Sequence, residues 1–318
     1  IATARLDTGL AAAEAYFRLL AAQHSLTVIE IQERARRESL AVVEARYELG
    51  DATRLELLQV QASLAELQPF VDQARGQVIV SGYELRSVLG IPGEGEPEAV
   101  DPPTGLPDPP SAAAALEVAL ERRPEFPAIG FQRAALGNQK TVTRADGRPQ
   151  VDLVGSYGHT ARLPENLNDP LYADWRVNLG LRWEFVDGGR RRGQVAQLES
   201  RQEQLDWQLR ELENQVRLQV ERAVTQYATA RSRLAAAEIS VEASSEATRI
   251  ARESYEEGTA LQLDLLTAQE REIQAEVVRV QAHYEAYIEA SRLFRAVGLM
   301  PGEGWPGTVP PAAEETEG

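Results

Sequence analysis

The chain contains no cysteine, which excludes disulfides and thiolate-bound metal. Histidine is almost as scarce. His24, His159 and His283 are scattered along the sequence, so neither a metal site nor a cofactor is expected. No run approaches about eighteen consecutive apolar residues, so no transmembrane helix is expected. Positive charge is in the minority: 33 Lys and Arg against 49 Asp and Glu leave a formal charge of −16, which argues against nucleic acid as a partner. No Ser-His-Asp set, phosphate loop or ligand cluster stands out, and no enzyme is predicted. The sequence shows no signal-peptide pattern and starts at Ile1 rather than Met, so the numbering is expected to begin inside a longer precursor.

Proline and glycine are missing between Gly193 and Gly258, and the rest of the chain is organised around that stretch. From Val216 the heptad-core positions step by four and three: Val216, Val220, Ala223, Tyr227, Ala230, Leu234, Ala237, Val241, Ser244, Thr248, Ala251, Tyr255. This spacing predicts one continuous helix over Gly189 to Glu257 with a narrow coiled-coil seam. At 1.5 Å per residue it would be roughly 100 Å long and would need partner helices along its seam.

Three further helical stretches supply them. Residues 9–48 carry Ala12, Ala15, Leu19, Ala22, Leu26, Ile29, Leu40, Val43 and Tyr47 at seam spacing, with Glu33 and Arg36 breaking the seam. A second helix is expected over 52–89 with a kink at Pro69, and a fourth from Gly258 to about Val297. A Pro/Gly-rich linker runs over 91–111, and Ser111 caps a helix interrupted near Pro124 and Pro127 that resumes to Ala145. Residues 149–187 alternate with period two. Trp175, Val177, Leu179, Leu181, Trp183 and Phe185 share one face of an expected strand, while Arg176, Asn178, Gly180, Arg182 and Glu184 share the other. Its length, its apolar face and its aromatic ends fit a membrane barrel strand, and a half-buried strand on a soluble sheet fits the alternation as well. Gly158 to Asp174 reads as a long polar loop, and the tail from residue 299 as loop or disorder.

The sequence repeats itself. Tyr47-Glu48-Leu49-Gly50 matches Tyr255-Glu256-Glu257-Gly258 at an offset of 208 residues, and the same offset aligns Ala52, Leu55, Leu57, Leu58 and Gln61 with Ala260, Leu263, Leu265, Leu266 and Gln269. Leu85, Gly90 and Ile91 likewise meet Leu293, Gly298 and Leu299. One register over such a span indicates duplication. The first copy lacks counterparts for the upper helix and strand pair, so the chain is expected to be a fragment missing roughly a hundred residues.

Taken together, Ala15-Tyr16-Phe17-Arg18-Leu19-Leu20, both Tyr-x-x-Gly turns, Arg123-Pro124-Glu125, Arg148-Pro149-Gln150-Val151-Asp152-Leu153, Phe185-Val186-Asp187-Gly188-Gly189-Arg190 and the helix ends at Gly90 and Gly298 resemble the outer-membrane efflux protein family, the TolC-like channels. The resemblance covers nearly everything from residue 9 to 300. It implies a mainly α fold with a small β part: long antiparallel coiled-coil helices of an α-barrel plus a two-stranded segment of a transmembrane β-barrel, internally duplicated. A homotrimer would complete a twelve-stranded barrel. In those terms the chain divides into a first-repeat hairpin (1–90), an equatorial linker (91–111), upper helices (112–147), an outer-membrane β-hairpin (148–188), a second-repeat hairpin (189–298) and a tail (299–318). Glu184 stands where the family often has Pro, and the lipid-anchoring cysteine of many members would lie in the missing part.

The resemblance also assigns candidate residues. The turns at Tyr47, Gly50, Asp51 and Leu55 and at Tyr255, Gly258, Thr259 and Leu263 become the periplasmic tip where an adaptor protein docks. Tyr255 and Asp264 become gate residues, with Thr267 standing where a second acid can occur. A ring of Asp264 carboxylates would favour cations, while the sequence alone equally allows a solvated acid at a helix N-terminus. Trp175 to Phe185 would face outer-membrane lipid, and Arg176, Arg182 and Glu184 the lumen. Arg190, Arg191 and Arg192 would lie at the inner membrane interface or form a solvated charge run. The expected function is an outer-membrane channel subunit, extending into the periplasm, that works with an adaptor and an inner-membrane pump. It would pass small molecules or ions without catalysing a reaction. A periplasmic coiled-coil scaffold or adaptor is the alternative.

Overall fold

A computed structural model describes residues 2–92, 99–102, 105–159 and 173–303. Among these residues six helices and one strand pair follow in the order α1 (Ala2–Leu49), α2 (Arg54–Leu89), α3 (Ala112–Arg122), α4 (Glu125–Ala145), β1 (Gln150–His159), β2 (Ala173–Arg182), α5 (Arg190–Glu256) and α6 (Gln262–Val297). They fall into two compact units, Ile1–Pro124 with Asn214–Gly318 and Glu125–Glu213.

The first unit is built on seams. α1 lies between α2 and α6, and its neighbouring residues Leu19 and Leu20 face opposite partners. Leu19 packs with Ala15, Ala22, Val78 and Leu85, and Leu20 packs with Val280 and Tyr284. Arg292 and Arg295 of α6 donate to Glu14 and Asp7 of α1 at 2.8 and 2.6 Å. Along α5 the expected seam is the buried stripe. Every heptad-core position from Val216 to Tyr255 is buried or half-buried, with Tyr227 fully enclosed.

One expectation about α1 needs correction. Glu33 and Arg36 do not break the α1 seam; both are buried within it. Arg36 Nη1 donates to the Ser63 carbonyl of α2 at 2.8 Å, and Nη2 stands 4.0 Å from Glu270 of α6. A long guanidinium can span a helix interface that a short charge cannot. Pro69 lies inside the single helix α2, which runs over the expected stretch.

The described residues of the linker are irregular, and they are tied down. Tyr16 of α1 donates to the Val100 carbonyl and accepts from Val100 N. Tyr284 of α6 donates to Asp101 at 2.5 Å and meets His24 Nδ1 at 3.0 Å. Tyr227 of α5 donates to the Pro107 carbonyl, and Arg231 reaches the same carbonyl at 2.9 Å and Asp108 at 2.7 Å. Burial pushes the Tyr227 hydroxyl up to about 12, which keeps it a proton donor at any physiological pH. α3 starts at the Ser111 cap and ends at Arg122, two residues before Pro124, close to the expected interruption. Arg123 then turns inward, donating to Gln219 at 2.6 Å and to the Ala296 carbonyl.

In the second unit Pro127 does not interrupt a helix, which is a further correction. It sits in the first turn of α4, where no N–H is required. α4 has no buried residue and meets α5 through ion pairs, Arg133 with Asp206 and Lys140 with Glu199. β1 and β2 pair antiparallel from Gln150↔Arg182 to His159↔Ala173. β2 is therefore shorter than the sequence suggests: it ends at Arg182, leaving Trp183, Glu184 and Phe185 outside the ladder. The reason lies opposite. Pro149 has no N–H, and Arg148 N bonds back to Ala145 in a turn, so no strand faces residues 183–187. The loop at 160–172 and the tail beyond 303 lie outside the described residues.

Candidate functional site

The hairpin tips are built twice by the same local chemistry. α1 ends at Gly50 with φ +84°, and α5 ends before Gly258 with φ +76°. In both, the following residue bonds back across the turn: Asp51 N to the Arg46 carbonyl at 2.8 Å, and Thr259 N to the Ser254 carbonyl at 2.9 Å. This is the Schellman closure, and glycine takes its left-handed position without a Cβ penalty. The other ends of α2 and α6 repeat it at Gly90 and Gly298. α2 and α6 both have 36 residues, and both their bounds differ by the 208-residue offset, so the duplication extends to single-residue boundaries.

After each turn an acid closes the next helix start. Glu56 Oε2 accepts from Thr53 N at 2.6 Å, while Thr53 Oγ1 accepts from Glu56 N at 3.2 Å, a complete capping box. Asp264 Oδ2 accepts from Leu261 N at 3.1 Å, which is the second half of the same device without the hydroxyl. The Asp264 side chain is therefore engaged at the N-terminus of α6 while remaining exposed. Tyr255 is half-buried, and its hydroxyl accepts from Arg46 Nη1 at 3.2 Å. Arg46 also reaches the Asp51 carbonyl at 3.3 Å, so this one guanidinium joins the two tips. Sequence reasoning missed Arg46, because its partner lies 209 residues away. Around these bonds the tips expose Leu49, Leu55, Leu58, Leu261 and Leu263 as well as the ring of Tyr47.

The strand pair carries the second group of candidates. Residues directly opposite in an antiparallel pair share a face. The register therefore gathers Val151, Leu153, Gly155, Tyr157, Trp175, Val177, Leu179 and Leu181 on one side. The other side holds Gln150, Asp152, Ser156, Asp174, Arg176, Asn178 and Arg182, with Val154 and two glycines. The large residues of the apolar face are 60–75% exposed. Arg176 pairs with Asp174 at 3.1 Å on the polar face, and Glu184, beyond the strand, accepts from Arg190 at 2.6 Å. Trp183 Nε1 donates to the Gly147 carbonyl at 3.2 Å, and its ring lies 5.8 Å from Phe185. No described helix is long and apolar enough to cross a membrane, and no described group of three His, Asp or Glu could hold a metal.

Comparison with known proteins agrees with this architecture. The chain is 26% identical over 298 residues to the alkaline protease secretion protein AprF of Pseudomonas aeruginosa, covering 90% of this chain and 60% of that protein. It is 27% identical over 203 residues to the pyoverdine export outer membrane protein OpmQ of Pseudomonas putida, covering 64% and 43%. Among solved structures, the outer-membrane channel OprN matches with a TM-score of 0.70 at 23% identity, over 93% of this chain and 67% of that one. The outer membrane protein VceC of Vibrio cholerae gives 0.66 at 20%, over 93% and 71%. The chain thus spans about 60% of the length of AprF. The model of the outer membrane efflux protein family matches residues 1–91 and 115–299. Carrying that match over both halves of the duplication, the chain belongs to the outer membrane efflux protein family and is a protein of the outer membrane.

Proposed function

We propose that the chain is the channel subunit of a tripartite efflux or secretion system, exporting small molecules or ions passively through a homotrimeric α/β-barrel. The observation that carries this reading is the β-hairpin, which is apolar and exposed on one face from Val151 to Tyr157 and from Trp175 to Leu181, while its reverse is mostly polar. A soluble protein rarely leaves such a face uncovered, whereas a barrel wall needs lipid outside and water inside. The helix that leaves this hairpin, α5, ends at a tip with exposed leucines, which suits docking of a periplasmic adaptor through Tyr47, Gly50, Asp51, Leu55, Tyr255, Gly258, Thr259 and Leu263. An inner-membrane pump would supply the energy, and no catalytic step is assigned to this subunit. The names of AprF and OpmQ, which refer to secretion and export, support the same class.

Within the trimer, Asp264 and Tyr255 would stand at the constriction. Three nearby carboxylates concentrate cations. The test is single-channel recording of the full-length protein in planar bilayers. Wild type should conduct with cation preference, and Asp264→Ala should reduce it. Tyr255→Phe should raise the open probability by releasing Arg46. Absence of any channel would sink the reading, while unchanged selectivity in Asp264→Ala would leave that residue a helix-terminal acid only.

A further inference from the structure

The junction between β2 and α5 concentrates positive charge in a chain whose net charge is −16. Residues 144–148 and 182–192 hold Arg144, Arg148, Arg182, Arg190, Arg191 and Arg192 against Asp146, Glu184 and Asp187. α5 opens on three consecutive arginines with no acid in its first turn. The N-terminus is the positive end of a helix dipole, so these side chains oppose the helix they begin. Two of them are offset locally. Glu184 accepts from Arg190, and Asp187 accepts from Arg191 N at 3.0 Å and Nε at 2.5 Å, which holds the Asp187 carboxyl down at about 2.

Three residues meet at this point. The Arg191 guanidinium lies against Gly147 so closely that a Cβ there would stand 1.7 Å from Nη1, and Trp183 donates to the Gly147 carbonyl. Arg148 and Arg192 follow the two touching residues directly in the chain. Both are exposed, and neither has a carboxylate within ion-pairing distance among the described residues. Among the described residues nothing uses their charge. From the hairpin downward the chain thus presents an apolar face, then the Trp183–Phe185 pair, then uncompensated guanidinium groups. That order matches the depth profile of one membrane leaflet: acyl chains, interface, headgroups.

We propose that this junction binds anionic phospholipid headgroups, with Arg148 and Arg192 contacting phosphate and Trp183 and Phe185 lying at the interface. The planar fork of arginine suits phosphate oxygens. The inference rests on the membrane-facing reading of the hairpin and extends it to a lipid class. It also runs against the overall charge, since a protein at −16 should avoid anionic surfaces.

The test is flotation of detergent-purified protein with vesicles of phosphatidylcholine alone or mixed with phosphatidylglycerol. Wild type should bind both and prefer the anionic vesicles. One basic side chain near such a surface is worth about fivefold, so Arg148→Gln with Arg192→Gln should lower anionic binding by about thirtyfold. The same double variant should leave phosphatidylcholine binding unchanged. Arg148→Lys with Arg192→Lys should keep most of the preference, which a purely structural role would not predict. Inorganic phosphate at constant ionic strength should not compete. A preference that survives the Gln pair, competition by phosphate, or wild type binding both vesicles equally would overturn the proposal. Failure to bind even phosphatidylcholine, or binding untouched by Leu153→Asn with Leu179→Asn, would instead overturn the membrane reading of the hairpin.

Discussion

α2 and α6 are the same helix twice, with equal length, matching glycine ends and an acid at the third position, yet they sit in different surroundings. α6 is buried along much of its length, whereas α2 leaves Phe70, Ile79, Val80 and Tyr83 exposed. Duplication copied the local instructions for starting and stopping a helix and left the packing of each copy to diverge. Local backbone chemistry is therefore shared between the halves, and the energetic weight of each element is not.

The C-terminal glycines should show the largest difference. Both Gly90 and Gly298 have positive φ, so any side chain costs about 1–2 kcal/mol in the left-handed region. At Gly90 a Cβ would meet nothing within 4 Å, but at Gly298 it would come within 3.0 Å of the Arg122 and Arg123 backbone. Gly298→Ala should therefore cost about 3 kcal/mol and Gly90→Ala about 1 kcal/mol in urea unfolding. Equal losses would erase the distinction.

The helix starts offer a smaller test that can be run in both directions. Thr53→Ala removes the hydroxyl half of the first capping box and should cost about 1 kcal/mol. Leu261→Thr would complete the second box at an exposed site, and should stabilise α6 by about 0.5–1 kcal/mol. A destabilised Leu261→Thr would show that the exposed leucine is held by packing instead.

The seams differ in a third way. Where the second copy has Val241 and Ser244, the first has Glu33 and Arg36 at the same register. Arg36 Nε has no partner, and desolvation lowers the pKa of the side chain. Its counter-charge Glu270 is 57% exposed and would stay solvated without it. Arg36→Met should thus leave thermal stability unchanged or raise it by up to about 1 kcal/mol. A large loss would make Arg36 a keystone of the first seam.

The smallest effect concerns acid. Asp187 is held below its ordinary value by Arg191, so its contribution is present above about pH 4 and is lost as pH falls towards 2. Trp183 fluorescence, which reports the Gly147 contact, should change across that window in wild type and not in Asp187→Asn.

How much of this was legible depended on the distance over which each instruction acts. The α5 seam, the strand alternation and the glycine stops are short-range patterns, and the structure follows them residue by residue. Glu33 and Arg36 were misread because a charge at a core position looks like a surface residue until the Ser63 carbonyl on another helix is known. The end of β2 was misread because strand length is set by the opposite strand, and Pro149 and the Arg148 turn end that strand. At the tips, the role of Gly50 and Gly258 was readable from one turn of chain. Arg46 was not, because it bridges two copies of the repeat.

The tied linker gives the bundle a waist. Tyr16 and Tyr284 grip it at Val100 and Asp101, and Tyr227 grips it at Pro107. The six residue-to-residue steps from Asp101 to Pro107 can stretch to about 22 Å and no further. Covalent chain does not yield, so α5 cannot drift from α1 and α6 at this level without unfastening a tyrosine. The tips at Gly50 and Gly258 are joined instead by the hydrogen bonds of Arg46. Mechanically the first unit is a sheaf belted by covalent chain at the middle and held at its ends by a clasp that a single side chain can open.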